Sequence, residues 1–97
     1  MLYHVSMTVN LPTDMPEEEA ADLKARETIY SQNLQTQGVL QHIWRVVGQF
    51  QNVSIFDCRN NSHLHAVLMG LPLRPYLSFD ITPLSHHPSS IRQDDMQ

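Results

Sequence analysis

The sequence predicts an α+β domain with the element order β-α-β-β-α-β, its two helices covering one face of a four-stranded antiparallel sheet. Three observations predict it. Residues 2–11 alternate apolar and polar side chains with a period of two. Residues 16–37 place apolar side chains at helical spacing. Beyond Gly38, short apolar runs are interrupted once by a second helical stretch and otherwise by turn residues. This order and layering is the ferredoxin-like arrangement.

The first strand has Tyr3, Val5, Met7, Val9 and Leu11 on one side and His4, Ser6, Thr8 and Asn10 on the other, and Pro12 ends it. The first helix has Asp14 near its N-cap and Pro16 in its first turn. Glu17, Glu18 and Glu19 stand at the positive end of its dipole. Its inward stripe runs Ala20, Leu23, Glu27, Tyr30, Leu34 in steps of three and four, and Gly38 stops it. Residues 39–50 and 52–58 read as two strands with a tight turn near Gln51-Asn52. A second helix starts at Asn60 or Asn61, buries Leu64, Val67, Leu68 and Leu71, and closes at Pro72 and Pro75. Residues 76–83 read as the last strand, with Leu77, Phe79 and Ile81 on one side. The domain is thus 1–83. Residues 84–97, rich in Ser, His, Pro and Asp, have no period and read as a C-terminal arm suited to subunit contacts.

Composition narrows the partners. The chain has 97 residues, 41% of them hydrophobic and only 16% charged. Six Lys+Arg against ten Asp+Glu give a net charge of -4, which argues against nucleic acid and gives an anionic membrane surface no hold. The apolar runs are too short to span a bilayer, and the alternating start is no signal-peptide core. Cys58 has no partner for an intrachain disulfide. A cytoplasmic location is expected. A small chain with few charges and one bare sheet face is expected to self-associate.

Glu27 is the most informative position, because a carboxylate inside an apolar stripe must be partnered, protonated or used. Desolvation there would raise its pKa and make it a better base near neutral pH. The plain alternative is that it reaches water or an Arg at the helix edge. Lys24, three residues earlier, is either an ordinary helix-surface partner or a cation for an anionic substrate. Arg45, in the run His42-Ile43-Trp44-Arg45, is either paired with a carboxylate or open to an anionic ligand.

The histidines do not make a metal site. His63 and His65 point to opposite sides of a helix, and His86 and His87 are adjacent in the arm. No metal and no cofactor is expected. Cys58 has no evident base beside it and reads as a small core residue. Three glycines in the whole chain leave no phosphate loop.

The sequence resembles the muconolactone δ-isomerase family of the β-ketoadipate pathway for catechol degradation. The resemblance covers nearly the whole chain. Met1-Leu2-Tyr3-His4-Val5 with Met7-Thr8-Val9 and Leu11-Pro12 carry it, then Leu23-Lys24 with Glu27, and Trp44-Arg45 with Gly48. It continues through Asn52 with Ser54, Phe56-Asp57, Leu71-Pro72-Leu73 and Pro75-Tyr76, and ends in His87-Pro88-Ser89-Ser90-Ile91 and Asp94-Asp95. It implies a ferredoxin-like subunit of the dimeric α+β barrel type, a decamer built from dimers, active sites at subunit contacts, and no cofactor. It also implies Glu27 as base with Lys24 as its accompanying cation, and Asn52, Ser54, Tyr76 and His87 in the pocket. Phe50 departs from the family pattern, which has Tyr there, and Arg26 and Thr28 are unusual beside the glutamate.

The implied reaction takes (+)-muconolactone to 3-oxoadipate enol-lactone by proton abstraction and return. Lys24, Asn52 or Ser54 would stabilise the enolate oxygen, and Lys24, Arg45 or His87 would hold the acetate arm. A 5-chloromuconolactone dehalogenase would use the same fold and base and expel chloride. A non-catalytic ferredoxin-like oligomer that binds a small molecule would have no need of Glu27 in the stripe. A cofactor-free monooxygenase of the same barrel group would consume oxygen.

Overall fold

The structure, a computed structural model, describes residues 1–95. Strand β1 (Leu2–Val9) leads into helix α1 (Glu17–Thr36). Strands β2 (Leu40–Arg45) and β3 (Gln51–Asp57) form a hairpin, and helix α2 (Asn61–Met69) then leads through a 3-10 turn (Arg74–Tyr76) to strand β4 (Leu77–Leu84). The sheet order is β2-β3-β1-β4 and every neighbouring pair is antiparallel, which is the ferredoxin-like topology.

Alternation decides which face is buried. Tyr3, Val5 and Met7 of β1 and Phe56 of β3 turn inward, and Leu34 of α1 with Leu64, Val67 and Leu68 of α2 close over them. The expected stripe of α1 does face the sheet: Leu23 and Leu34 are buried, and Ala20, Glu27 and Tyr30 are half-buried. No helix covers the opposite face. Trp44 stands there 57% exposed, its ring stacked on that of His42 with centroids 5.2 Å apart.

The helix ends follow from local chemistry. Gly38, at φ 77°, terminates α1. Its N–H donates to the Gln35 carbonyl and the Val39 N–H to that of Leu34, the paired bonds of a Schellman stop. At the other end Pro16 is the N-cap and no side chain, Asp14 included, bonds a free amide. Asn60 caps α2 by accepting from the His63 N–H at 2.8 Å.

The β2–β3 turn differs from expectation. It does not fall at Gln51-Asn52 but at residues 46–50, where the Gln49 N–H donates to the Val46 carbonyl and Gly48 takes φ 79°. Left-handed backbone is nearly free only to glycine, so Gly48 places the turn and the apolar run around it does not. Gln51 and Asn52 therefore belong to β3, opposite Thr8 and Met7 of β1. Strand β1 also stops two residues early, at Val9, because β3 begins opposite Thr8 and β4 opposite Val9. Helix α2 ends at Gly70, ahead of the prolines.

Beyond β4 the chain leaves the body. Among the described residues of the arm, hydrogen bonds are internal, such as Ser90 Oγ to Asp95 Oδ2 at 2.6 Å, and Ile91 is 95% exposed. The Cα radius of gyration is 14.7 Å, above the roughly 12.5 Å of a compact domain of this length. Residues 96 and 97 of the expected arm lie outside the described residues. No helix among those described is long and apolar enough to cross a membrane.

Candidate active site

A cleft of about 340 Å³ opens between α1, the end of the β2–β3 hairpin and the segment that follows α2. Its walls are largely apolar, with Met7, Leu34, Leu40, Phe56, Leu71 and Leu73 among them. Four of the expected site residues line it together: Lys24 and Glu27 from α1, Arg45 from β2 and Asn52 from β3. A larger hollow of about 520 Å³ lies between α2 and β4, lined by Leu64, Leu68, Phe79 and Ile81, but none of the expected site residues borders it. The first cleft is therefore the candidate site.

Glu27 is half-buried, and its Oε1 accepts the Leu73 N–H at 3.0 Å. Sequence supplies that donor indirectly. The Arg74 N–H donates to the Leu71 carbonyl at 2.9 Å and Leu73 sits at φ -83°, ψ 0°, so Leu71–Arg74 is a tight turn with Pro72 at its second position. The third amide of such a turn has no partner within it, and here it meets the carboxylate. Burial pushes the Glu27 carboxyl above its ordinary value of 4.5. The Leu73 N–H, which favours the charged form, pulls against that rise. Oε2 takes no hydrogen bond from the described residues and is left for chemistry.

Two cations share the cleft. Lys24 Nζ lies over the Phe50 ring, 6.0 Å from its centroid, at the open side where Phe50 is 71% exposed. Arg45 lies across from α1 on the edge strand. Among the described residues the ion pairs are Met1 with Asp57 and Arg26 with Asp22, so neither Lys24 nor Arg45 has a carboxylate partner.

Ser54 is fully buried beneath the cleft, where its hydroxyl donates to Asn52 Oδ1 at 3.0 Å. That bond occupies the Asn52 carbonyl and leaves its NH₂ as a donor at the wall. Ser54 thus orients Asn52 and does not itself line the cleft. Tyr76 adjoins Leu77 at the cleft's end without lining it, and its carbonyl accepts the Asn10 N–H. His87 is exposed on the arm, its Nδ1 accepting from the Ser89 N–H, away from the cleft of its own chain. The Leu73 amide is the element that reading side chains along the chain passes over, and Phe50, marked in the sequence as a departure from the family pattern, lines the cleft. Pro72 is the signal for a free amide, but nothing linear pairs it with Glu27.

Comparison with known proteins bears on the family and the fold. A family model described as muconolactone delta-isomerase matches residues 1–90. The chain is 56% identical to muconolactone delta-isomerase 1 of Acinetobacter lwoffii over 95 residues, covering 98% of this chain and 99% of that one. It is 55% identical to muconolactone delta-isomerase of Cupriavidus pinatubonensis over 92 residues, covering 95% of this chain and all of that one. A crystal structure of muconolactone isomerase, 47% identical, superposes with a TM-score of 0.93 over 98% of this chain and 99% of its own.

Proposed function

The chain belongs to the muconolactone delta-isomerase family, and from that membership we propose that it moves the ring double bond of (+)-muconolactone to give 3-oxoadipate enol-lactone, with Glu27 as the base. The observation that carries the proposal is a half-buried carboxylate in a lactone-sized cleft, with one oxygen held by the Leu73 amide and the other open.

The γ carbon of the substrate ring bears the proton to be removed. Glu27 Oε2 takes it, and the electrons pass through the double bond to the lactone carbonyl, giving a dienolate with 2-oxyfuran character. The same carboxyl returns the proton at the α carbon, so no net proton or electron is exchanged and no cofactor is called for. A pKa raised by burial suits a group that must be ionised at rest yet accept a proton from carbon. Lys24 and the Asn52 NH₂, aligned by Ser54, stabilise the developing oxyanion. Arg45, unpaired across the cleft, takes the acetate carboxylate through its planar fork.

The working form is a homo-oligomer, which the resemblance makes a decamer built from dimers. The uncovered sheet face with Trp44, and an arm whose described residues beyond β4 make no hydrogen bond to the body, support it. In that assembly the arm beyond β4 reaches a neighbouring copy, and His87 meets that copy's cleft. Tyr76, beside Leu77 at the cleft's end, stands just outside the lining of its own chain's cleft.

Following (+)-muconolactone in the ultraviolet tests the reading. Rapid loss of the conjugated butenolide is expected. No turnover of this lactone, with efficient chloride release from 5-chloromuconolactone instead, would overturn it in favour of the dehalogenase.

A further inference from the structure

Helices α1 and α2 touch unusually closely at one point beside the cleft. The Tyr30 hydroxyl donates to the Val67 carbonyl at 2.8 Å, in the last turn of α2. Gly70, the next residue after that helix, lies directly under the same hydroxyl. A Cβ at position 70 would stand 2.4 Å from the Tyr30 oxygen and 3.1 Å from Cζ. The backbone of Gly70 is ordinary right-handed helix, φ -83° and ψ -8°, so the glycine is required by space and not by conformation.

Both ends of this contact lead to Glu27. Tyr30 stands one turn after it on α1, on the same stripe. Gly70 opens the short descent Leu71-Pro72-Leu73, whose turn presents the Leu73 N–H to the carboxylate. Leu71 and Leu73 are both buried, so the descent is wedged in the core and follows α2 as a unit. The separation of α1 from the end of α2 therefore sets how well that amide meets Oε1.

We propose that Tyr30 is a positioning residue for the base: its bond to Val67, allowed by the missing side chain at Gly70, holds the Leu73 amide against the Glu27 carboxylate. This rests on Glu27 being the base. The amide favours ionised Glu27 and so opposes the effect of burial. Loosening the contact lets the Glu27 pKa rise further, and the acid limb of the kcat profile moves to higher pH. The charged groups facing the contact are few: Glu27 and Lys24 on α1, with Arg45 of β2 across the cleft.

The test compares wild type with Tyr30→Phe, Gly70→Ala, the double variant and Glu27→Gln. Tyr30→Phe is expected to move the acid limb up by about half a pH unit or more while the plateau kcat falls less than about threefold. Gly70→Ala is expected to move it the same way. The double variant is expected to fall close to Tyr30→Phe alone, since without the oxygen the tightest approach is to Cζ at 3.1 Å, which the ring relieves by moving a few tenths of an ångström. A carboxyl ¹³C titration of Glu27 reads the same midpoint in any variant that folds but turns over too slowly. An unmoved midpoint in both single variants, or a uniform loss at every pH, overturns the positioning role while leaving the base in place. A Glu27→Gln enzyme that keeps its activity instead overturns the base, and the positioning role with it.

Discussion

As the proposed base, Glu27 meets two demands, to be charged at rest and yet reluctant to be so. Burial supplies the reluctance and the Leu73 amide limits it. The linkage to folding has a definite sign. The folded-state pKa is raised, so the folded chain holds the proton more tightly than the unfolded one. The resulting stability is complete below the ordinary carboxylate value and is lost as pH rises through the raised value. Glu27→Gln stays neutral and keeps an oxygen for Leu73. Its stability relative to wild type should therefore climb across that window and level off above it. Urea midpoints measured against pH check this, and a difference independent of pH would contradict it. Across the cleft, Arg45→Gln should raise KM roughly tenfold or more, the value of one charge-assisted hydrogen bond, with kcat changed less. Steady-state kinetics that leave KM unmoved would remove Arg45 from the acetate arm. Glu27 was legible because a carboxylate breaks an apolar stripe. Its partner was not, because a backbone amide carries no side-chain signature and lies 46 positions away.

The elements show which local signals win. The period of two in β1 and the steps of three and four in α1 identify their inward faces, because each face meets one continuous core. Strand pattern alone puts the hairpin turn near Gln51-Asn52, whereas Gly48, whose positive φ lets the chain reverse, sets it at residues 46–50. Gly48→Ala should cost about 1–2 kcal/mol from left-handed backbone alone, since nothing lies within 4 Å of the added methyl. Asn60→Ala, which removes the acceptor for the His63 amide, should cost about 1 kcal/mol. Chemical denaturation of each variant checks both, and a Gly48→Ala protein as stable as wild type would contradict the turn account.

At the scale of the molecule, a chain of 11.2 kDa carries one covered sheet face and one uncovered face, with an arm that reaches away from its body. The uncovered face follows directly from counting two helices against four strands, and so does the expectation of self-association. Which surfaces meet is not written in any one chain's periodicity, because Tyr76 and His87 do not reach the cleft formed by their own chain. Light scattering should give a mass several times 11.2 kDa, and a monomer at micromolar concentration would contradict the assembly. The proposed isomerisation turns on the Glu27 carboxylate as the group that lifts and returns the ring proton. The most direct test is kcat with (+)-muconolactone for Glu27→Gln beside wild type, at matched fold and assembly. A loss of about 10²–10⁴-fold is predicted, and activity within tenfold of wild type would contradict it.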